Sequence, residues 1–150
     1  MGPQPVSLLP NIKEVVERAT SDQKVFELPL QNIRLFGYSY APSIIYVGAE
    51  HPTLHTLSEK IHNGVAPLGI EGQNPRYTPH LTLGRIRTNR YYKKEKEELA
   101  RYNDQFIANM QVSSVYLYAS TFTSQGMQYD LVESFPLLGN NDRKTDDLSV

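Results

Sequence analysis

Thr78-Pro79-His80-Leu81-Thr82-Leu83-Gly84-Arg85 is the stretch on which the reading of this chain turns. Pro79 favours extended backbone at its start, and the residues that follow suit a short β-strand. Side chains alternate across a strand, so His80 and Thr82 share one face while Leu81 and Leu83 take the other. The spacing therefore predicts a polar face with an imidazole beside a hydroxyl, and an opposite face given to core. An imidazole can exchange a proton near neutral pH, and a hydroxyl can hydrogen-bond a phosphate oxygen. The same residues also admit a plain structural reading, in which His80 and Thr82 only satisfy hydrogen bonds at a sheet edge.

Composition narrows the classes around this motif. A length of 150 residues suits one domain with its own core. Fifteen Lys and Arg balance sixteen Asp and Glu, so no global charge draws the chain to nucleic acid or an anionic membrane. Any anion site must be local. The absence of cysteine excludes disulfides, thiolate metal ligands and a cysteine nucleophile, and fits a cytoplasmic location. No apolar run approaches a membrane span, and the N-terminus lacks the pattern of a signal peptide.

Outward from the motif, patterning predicts an α+β domain. Leu8 to Ala19 reads as a helix, with Pro10 in its first turn and Leu9, Ile12, Val15 and Val16 as its apolar stripe. Lys24 to Phe36 reads as extended, and Pro29 with a change of parity points to a bulge, an edge position or a break there. Ser43 to Gly48 pairs with it as a hairpin. Pro52 to Asn63 reads as a helix stopped by Asn63-Gly64. After the motif strand, His80 to Arg87, a charged helix is predicted over Arg90 to Phe106. Two closing strands follow, Gln111 to Ser120 and Met127 to Leu137, joined through Gly126. Three helices and five strands are expected within residues 1–138. Residues 139–150, polar and without anchors, read as a disordered tail.

Two other histidine patterns compete with His80. His51-Pro52-Thr53-Leu54 has the same letters, but it opens a helix, where His51 and Thr53 diverge. His51, His55 and Glu59 lie at i, i+4 and i+8, with His62 beyond, which is a spacing that can chelate zinc. No cysteine assists, and no glutamate directly follows His51, so no metal site is assigned.

Tyr77-Thr78-Pro79-His80-Leu81-Thr82-Leu83-Gly84-Arg85 resembles the second histidine signature of the two-histidine phosphoesterases, in the branch of RNA 2′,3′-cyclic phosphodiesterases also called 2′-5′ RNA ligases. Val115-Tyr116-Leu117-Tyr118-Ala119-Ser120, with Gly126, Tyr129, Leu131 and Phe135-Pro136-Leu137, is similar to that family's closing hairpin. Ile45-Tyr46-Val47-Gly48 followed by a helix is similar to the unit that precedes the signature. The likeness covers most of Leu8 to Leu138.

The resemblance implies an α+β, bilobal fold and hydrolysis of 2′,3′-cyclic phosphates on RNA ends or nucleotides to 2′-phosphates. It implies no metal and no cofactor. His80 takes the part of one acid/base and Thr82 that of its phosphate-binding partner. Arg85 matches the arginine ending the signature; strict alternation puts it opposite His80, and a bulge at Gly84 would return it to the same side. Tyr77 is placed for substrate contact or for packing. Arg76, Arg87, Arg90, Lys93 and Lys94 could attract RNA or be ordinary surface charge.

The family carries two histidine signatures, one per lobe, and one convincing copy stands here. The first would lie on a strand just before a helix like Leu8 to Ala19. The expectation is thus a chain short of its N-terminal strands, holding half of a catalytic site. Sheet edges left open could pair between chains as a homo-oligomer. The alternative is a non-catalytic RNA- or nucleotide-binding module on the same fold.

Overall fold

A computed structural model describes residues 3–38, 41–70, 77–86 and 97–139. The architecture is α+β. The chain divides into two compact units: Met1–Phe26, Thr56–Pro75 and Gln111–Val150 form one, and Glu27–His55 with Arg76–Met110 form the other.

In the first unit, a 3-10 turn at Val6–Leu8 leads into α1 (Leu9–Thr20), with Pro10 in the first turn as expected. Of the expected stripe, Ile12, Val15 and Val16 are buried and Leu9 is half-buried, and Ala19 one turn on is buried with them. Ile12 and Val15 meet Val65 and Ile70, and Leu117 packs against that cluster. Leu117 belongs to β5 (Ser114–Thr123), which pairs antiparallel with β6 (Gly126–Pro136). Gly126 turns the hairpin at φ 121°, a conformation that favours glycine. Lys13 of α1 donates to Glu133 of β6 at 2.8 Å.

Helix α2 (Pro52–Val65) runs past the expected stop at Asn63-Gly64. Gly64 serves packing there instead of termination. A Cβ on it would stand 2.5 Å from Cγ1 of Val15, so the glycine lets α1 and the end of α2 come together. The chain continues as a 3-10 turn over Ala66–Leu68 and stops at Gly69, φ 76°. Lys60 on α2 pairs with Asp22 just after α1, at 2.8 Å.

In the second unit, a four-stranded sheet has the order β3-β2-β1-β4, with β1 Phe26–Tyr38, β2 Ala41–Gly48, β3 His80–Arg85 and β4 Phe106–Val112. The pairs β1–β2 and β2–β3 are antiparallel. The irregularity expected near Pro29 falls at Asn32 instead. Asn32 adopts φ 63°, which asparagine tolerates, and the register skips there between Gln31 and Ile33. The expected helix to Phe106 ends earlier: residues 97–100 are helical and 101–104 form a turn. Asp104 at φ 64° reverses the chain, and Phe106 opens β4. The closing run thus contains β4 and β5 as two strands where one was expected. The start of the expected charged helix, the cluster Arg76, Arg87, Arg90, Lys93 and Lys94, and residues 140–150 lie outside the described residues. Among the described residues no helix is long and apolar enough to cross a membrane.

Candidate active site

Strand β3 begins where the sequence places it, at His80. Pro79 is buried, and its carbonyl accepts the N–H of Ala49 at 3.2 Å, which ties the start of β3 to the end of β2. Gly48 stands opposite His80, Val47 opposite Leu81 and Tyr46 opposite Thr82. The register then slips. Ile45 faces Gly84 and Ile44 faces Arg85, leaving Leu83 as an extra residue on β3. This bulge decides the position of Arg85. Residues opposite each other on antiparallel strands share a face, and Ile44 shares one with Tyr46 and Gly48. Arg85 therefore lies on the face of His80 and Thr82.

Leu81 and Leu83 do not enter a core as alternation suggested. They are 49% and 54% exposed. The cause is the position of β3 at the sheet edge, where fewer neighbours cover either face.

Carrying the register across to β1 completes the face. Gln31 pairs with Gly48, Arg34 with Tyr46 and Phe36 with Ile44. Three rows result: Gln31–Gly48–His80, Arg34–Tyr46–Thr82 and Phe36–Ile44–Arg85. Gly48 is the narrow point. A Cβ there would lie 2.9 Å from the carbonyl oxygen of Gln31, so only glycine fits without a backbone shift.

Phe36 and Tyr46 stack with centroids 3.9 Å apart. The His80 ring meets both edge-on, at 4.9 Å from Phe36 and 5.5 Å from Tyr46. Its Nδ1 lies 2.7 Å from the carbonyl oxygen of Thr78. A carbonyl can only accept, so the Nδ1 proton is donated to it and the neutral ring keeps its lone pair on Nε2. The residue is exposed. An imidazole with one nitrogen anchored and the other available can take up or release a proton at a bound group. Thr82 and Arg85, both exposed on the same face, offer a hydroxyl and a cation that can hydrogen-bond an anion.

Tyr77 belongs to a different cluster. Its ring meets His55 edge-on at 5.8 Å, and His55 Nε2 pairs with Glu50 at 2.8 Å. Burial pushes the Tyr77 phenol above its ordinary range, and the Glu50 charge adds to the effect. His51 has its Nδ1 3.2 Å from the backbone N–H of Thr53, as a helix-opening residue does. Among the described residues no group of three or more His, Asp or Glu is arranged to hold a metal. Sequence spacing alone does not mark Arg34, Phe36 or Tyr46 as site residues. Their place depends on the Asn32 irregularity and on register, neither of which short spacing reveals.

The model of the 2′-5′ RNA ligase superfamily matches residues 1–121. The chain belongs to that superfamily. It is 27% identical over 124 residues to an RNA 2′,3′-cyclic phosphodiesterase of Methanocaldococcus jannaschii, covering 83% of this chain and 70% of the relative. A protein of the same name from Aquifex aeolicus is 26% identical over 140 residues, covering 91% and 71%. Among solved structures, a Thermus thermophilus protein superposes with a TM-score of 0.76 at 23% identity, covering 93% of this chain and 75% of that one. Escherichia coli LigT in complex with 3′-AMP gives 0.62 at 17% identity, covering 90% and 71%. These superpositions extend the shared α+β fold over most of the described chain. The relatives named cyclic phosphodiesterases mark the family as one of phosphoesterases.

Proposed function

We propose that this chain opens 2′,3′-cyclic phosphates at RNA or nucleotide ends to 2′-phosphates, with His80 as one proton-transfer group. The observation that carries the reading is the His80 ring, anchored through Nδ1 to Thr78 and presented beside Thr82 and Arg85 on one sheet face. The naming of the curated relatives as RNA 2′,3′-cyclic phosphodiesterases supports the choice of substrate.

In the reaction, a water oxygen forms a bond to phosphorus as its proton passes to a base. The bond from phosphorus to the 3′ oxygen breaks, and that oxygen takes a proton from an acid. Nε2 of His80 serves at one of these two transfers: the neutral ring accepts, the imidazolium donates. Thr82 Oγ1 and the Arg85 guanidinium hydrogen-bond the phosphoryl oxygens and stabilise the charge that gathers on them. None of these three roles calls on a metal ion.

One imidazole performs one transfer. Among the described residues the rings that meet His80 are those of Phe36 and Tyr46, and neither is a second imidazole. We accordingly take these 150 residues to hold half of the acid/base pair and to turn over slowly by themselves. A positioned acid or base contributes roughly 10²–10⁴ in rate.

Product analysis by phosphorus NMR on an oligoribonucleotide ending in a 2′,3′-cyclic phosphate tests the reading. Slow formation of a 2′-phosphate is expected. A 3′-phosphate product would overturn the proposed bond cleavage. Turnover fast enough for two positioned groups would overturn the half-pair. Tight binding with no turnover at all would make the chain a binding module.

A further inference from the structure

We propose that Arg34 holds the phosphodiester on the 5′ side of the terminal nucleotide, so that the site prefers an RNA strand end to a free cyclic mononucleotide. This rests on the function proposed above and names the substrate class of that site.

Arg34, Tyr46 and Thr82 stand in one row across β1, β2 and β3. Adjacent strands lie about 4.8 Å apart, so Arg34 and Thr82 originate roughly 10 Å from each other on the same face. A phosphate at Thr82 and a second phosphate within reach of the Arg34 guanidinium are then separated by about the span of a single nucleotide. Between them stands Tyr46, itself buried, with the half-buried Phe36 stacked on it, and Phe36 supplies the apolar contact for the sugar or base of that nucleotide.

The charge pattern agrees. The three rows contain Gln31, Arg34, Phe36, Ile44, Tyr46, Gly48, His80, Thr82 and Arg85: two arginines and no carboxylate. Within these rows a chain of net charge −1 thus presents two cations and no anion. Arg34 is exposed, and no ion pair with it occurs among the described residues. A core role would leave an arginine at this position unexplained, since a shorter polar residue would keep the strand equally solvated. A guanidinium suits a phosphodiester because it donates two parallel hydrogen bonds to the two free oxygens.

The test uses non-reacting product analogues on the whole 150-residue chain, so that it does not depend on turnover. The affinities of a dinucleotide ending in a 2′-phosphate and of a nucleoside 2′-monophosphate are measured by calorimetry. The dinucleotide is expected to bind about tenfold more tightly to the native chain. Arg34→Gln should bring the ratio of the two affinities close to one, and Arg34→Lys should restore part of it. The dinucleotide's affinity should also lose about 0.7 from its logarithmic salt slope in Arg34→Gln. Equal affinities in the native chain, no measurable binding of either probe, or equal losses for both probes in Arg34→Gln would overturn the inference. Failure of the underlying function reads out separately. An Arg34-dependent preference without hydrolysis of a cyclic phosphate would leave the strand-end contact standing and remove the phosphodiesterase. Hydrolysis without that preference would do the reverse.

Discussion

Nδ1 of His80 lies 2.7 Å from the carbonyl oxygen of Thr78, two residues earlier on the same chain. This short-range contact fixes which nitrogen carries the proton and which faces outward. The neutral ring is expected to be the Nδ1–H tautomer, and nitrogen NMR of the labelled chain reports it directly. Addition of a nucleoside 2′-monophosphate should then perturb Nε2 more than Nδ1. A ring protonated on Nε2 when neutral would contradict the anchored geometry.

Gly48 should resist replacement although it lies beyond the reacting groups. A Cβ there would approach the Gln31 carbonyl to 2.9 Å, and that neighbour is backbone, which cannot rotate away. Overpacking of this kind costs roughly 1–3 kcal/mol. Gly48→Ala is expected to lower the stability measured by urea unfolding by that amount. It should also reduce turnover, because Gly48 pairs directly with His80. Unchanged stability would mean that β1 and β2 are less closely held than the register implies.

Acid should weaken the first unit through two carboxylates. Lys13 holds the Glu133 carboxyl below its ordinary 4.5 by hydrogen bond and then by charge, and Lys60 does the same to Asp22 below 3.8. A carboxyl depressed in the folded state binds fewer protons than in the unfolded chain. Its stabilisation is present above the unfolded value and is lost as pH falls through the folded one. Stability should therefore decline below about pH 4.5, the ordinary glutamate value, and Glu133→Gln should shallow that decline. Both sites are solvent-accessible, so added salt should shrink the difference. An acid limb unaltered in Glu133→Gln and in Asp22→Asn would refute this assignment.

Ile70 is 1% exposed and packs with Ile12, Val15 and Val65. Truncation leaves a cavity that these β-branched neighbours close poorly. Ile70→Ala is expected to cost about 2–5 kcal/mol by chemical denaturation, against less than about 0.5 kcal/mol for a solvated site such as Lys24→Ala. A small loss at Ile70 would show that the loop after α2 is not part of the core.

Local spacing carried much of this structure. The β3 motif, α1, the β1–β2 hairpin and the Gly126 turn are each set by residues within a few positions of one another, so pattern reading reaches them. Three features escaped because distant residues decide them. Gly64 ends a helix by local preference, yet Val15 from another helix makes it a packing site. Leu81 and Leu83 read as core, but their exposure depends on β3 lying at the sheet edge. Arg34 joins the site only because Asn32 shifts the register of β1. For Arg85 alternation pointed away from His80, with a bulge as the open alternative. The bulge is present, one residue earlier than the Gly84 position considered, with Leu83 as the extra residue. Tyr77, read as a contact for substrate or for packing, meets His55 near Glu50.

The central claim is that the anchored imidazole of His80 moves a proton at a cyclic phosphate. Its most direct test is the rate of 2′-phosphate formation by the 150-residue chain and by its His80→Ala variant, with folding of both checked by circular dichroism. A fall of about 100-fold or more in a folded variant is predicted. An equal rate in the two proteins would contradict the account.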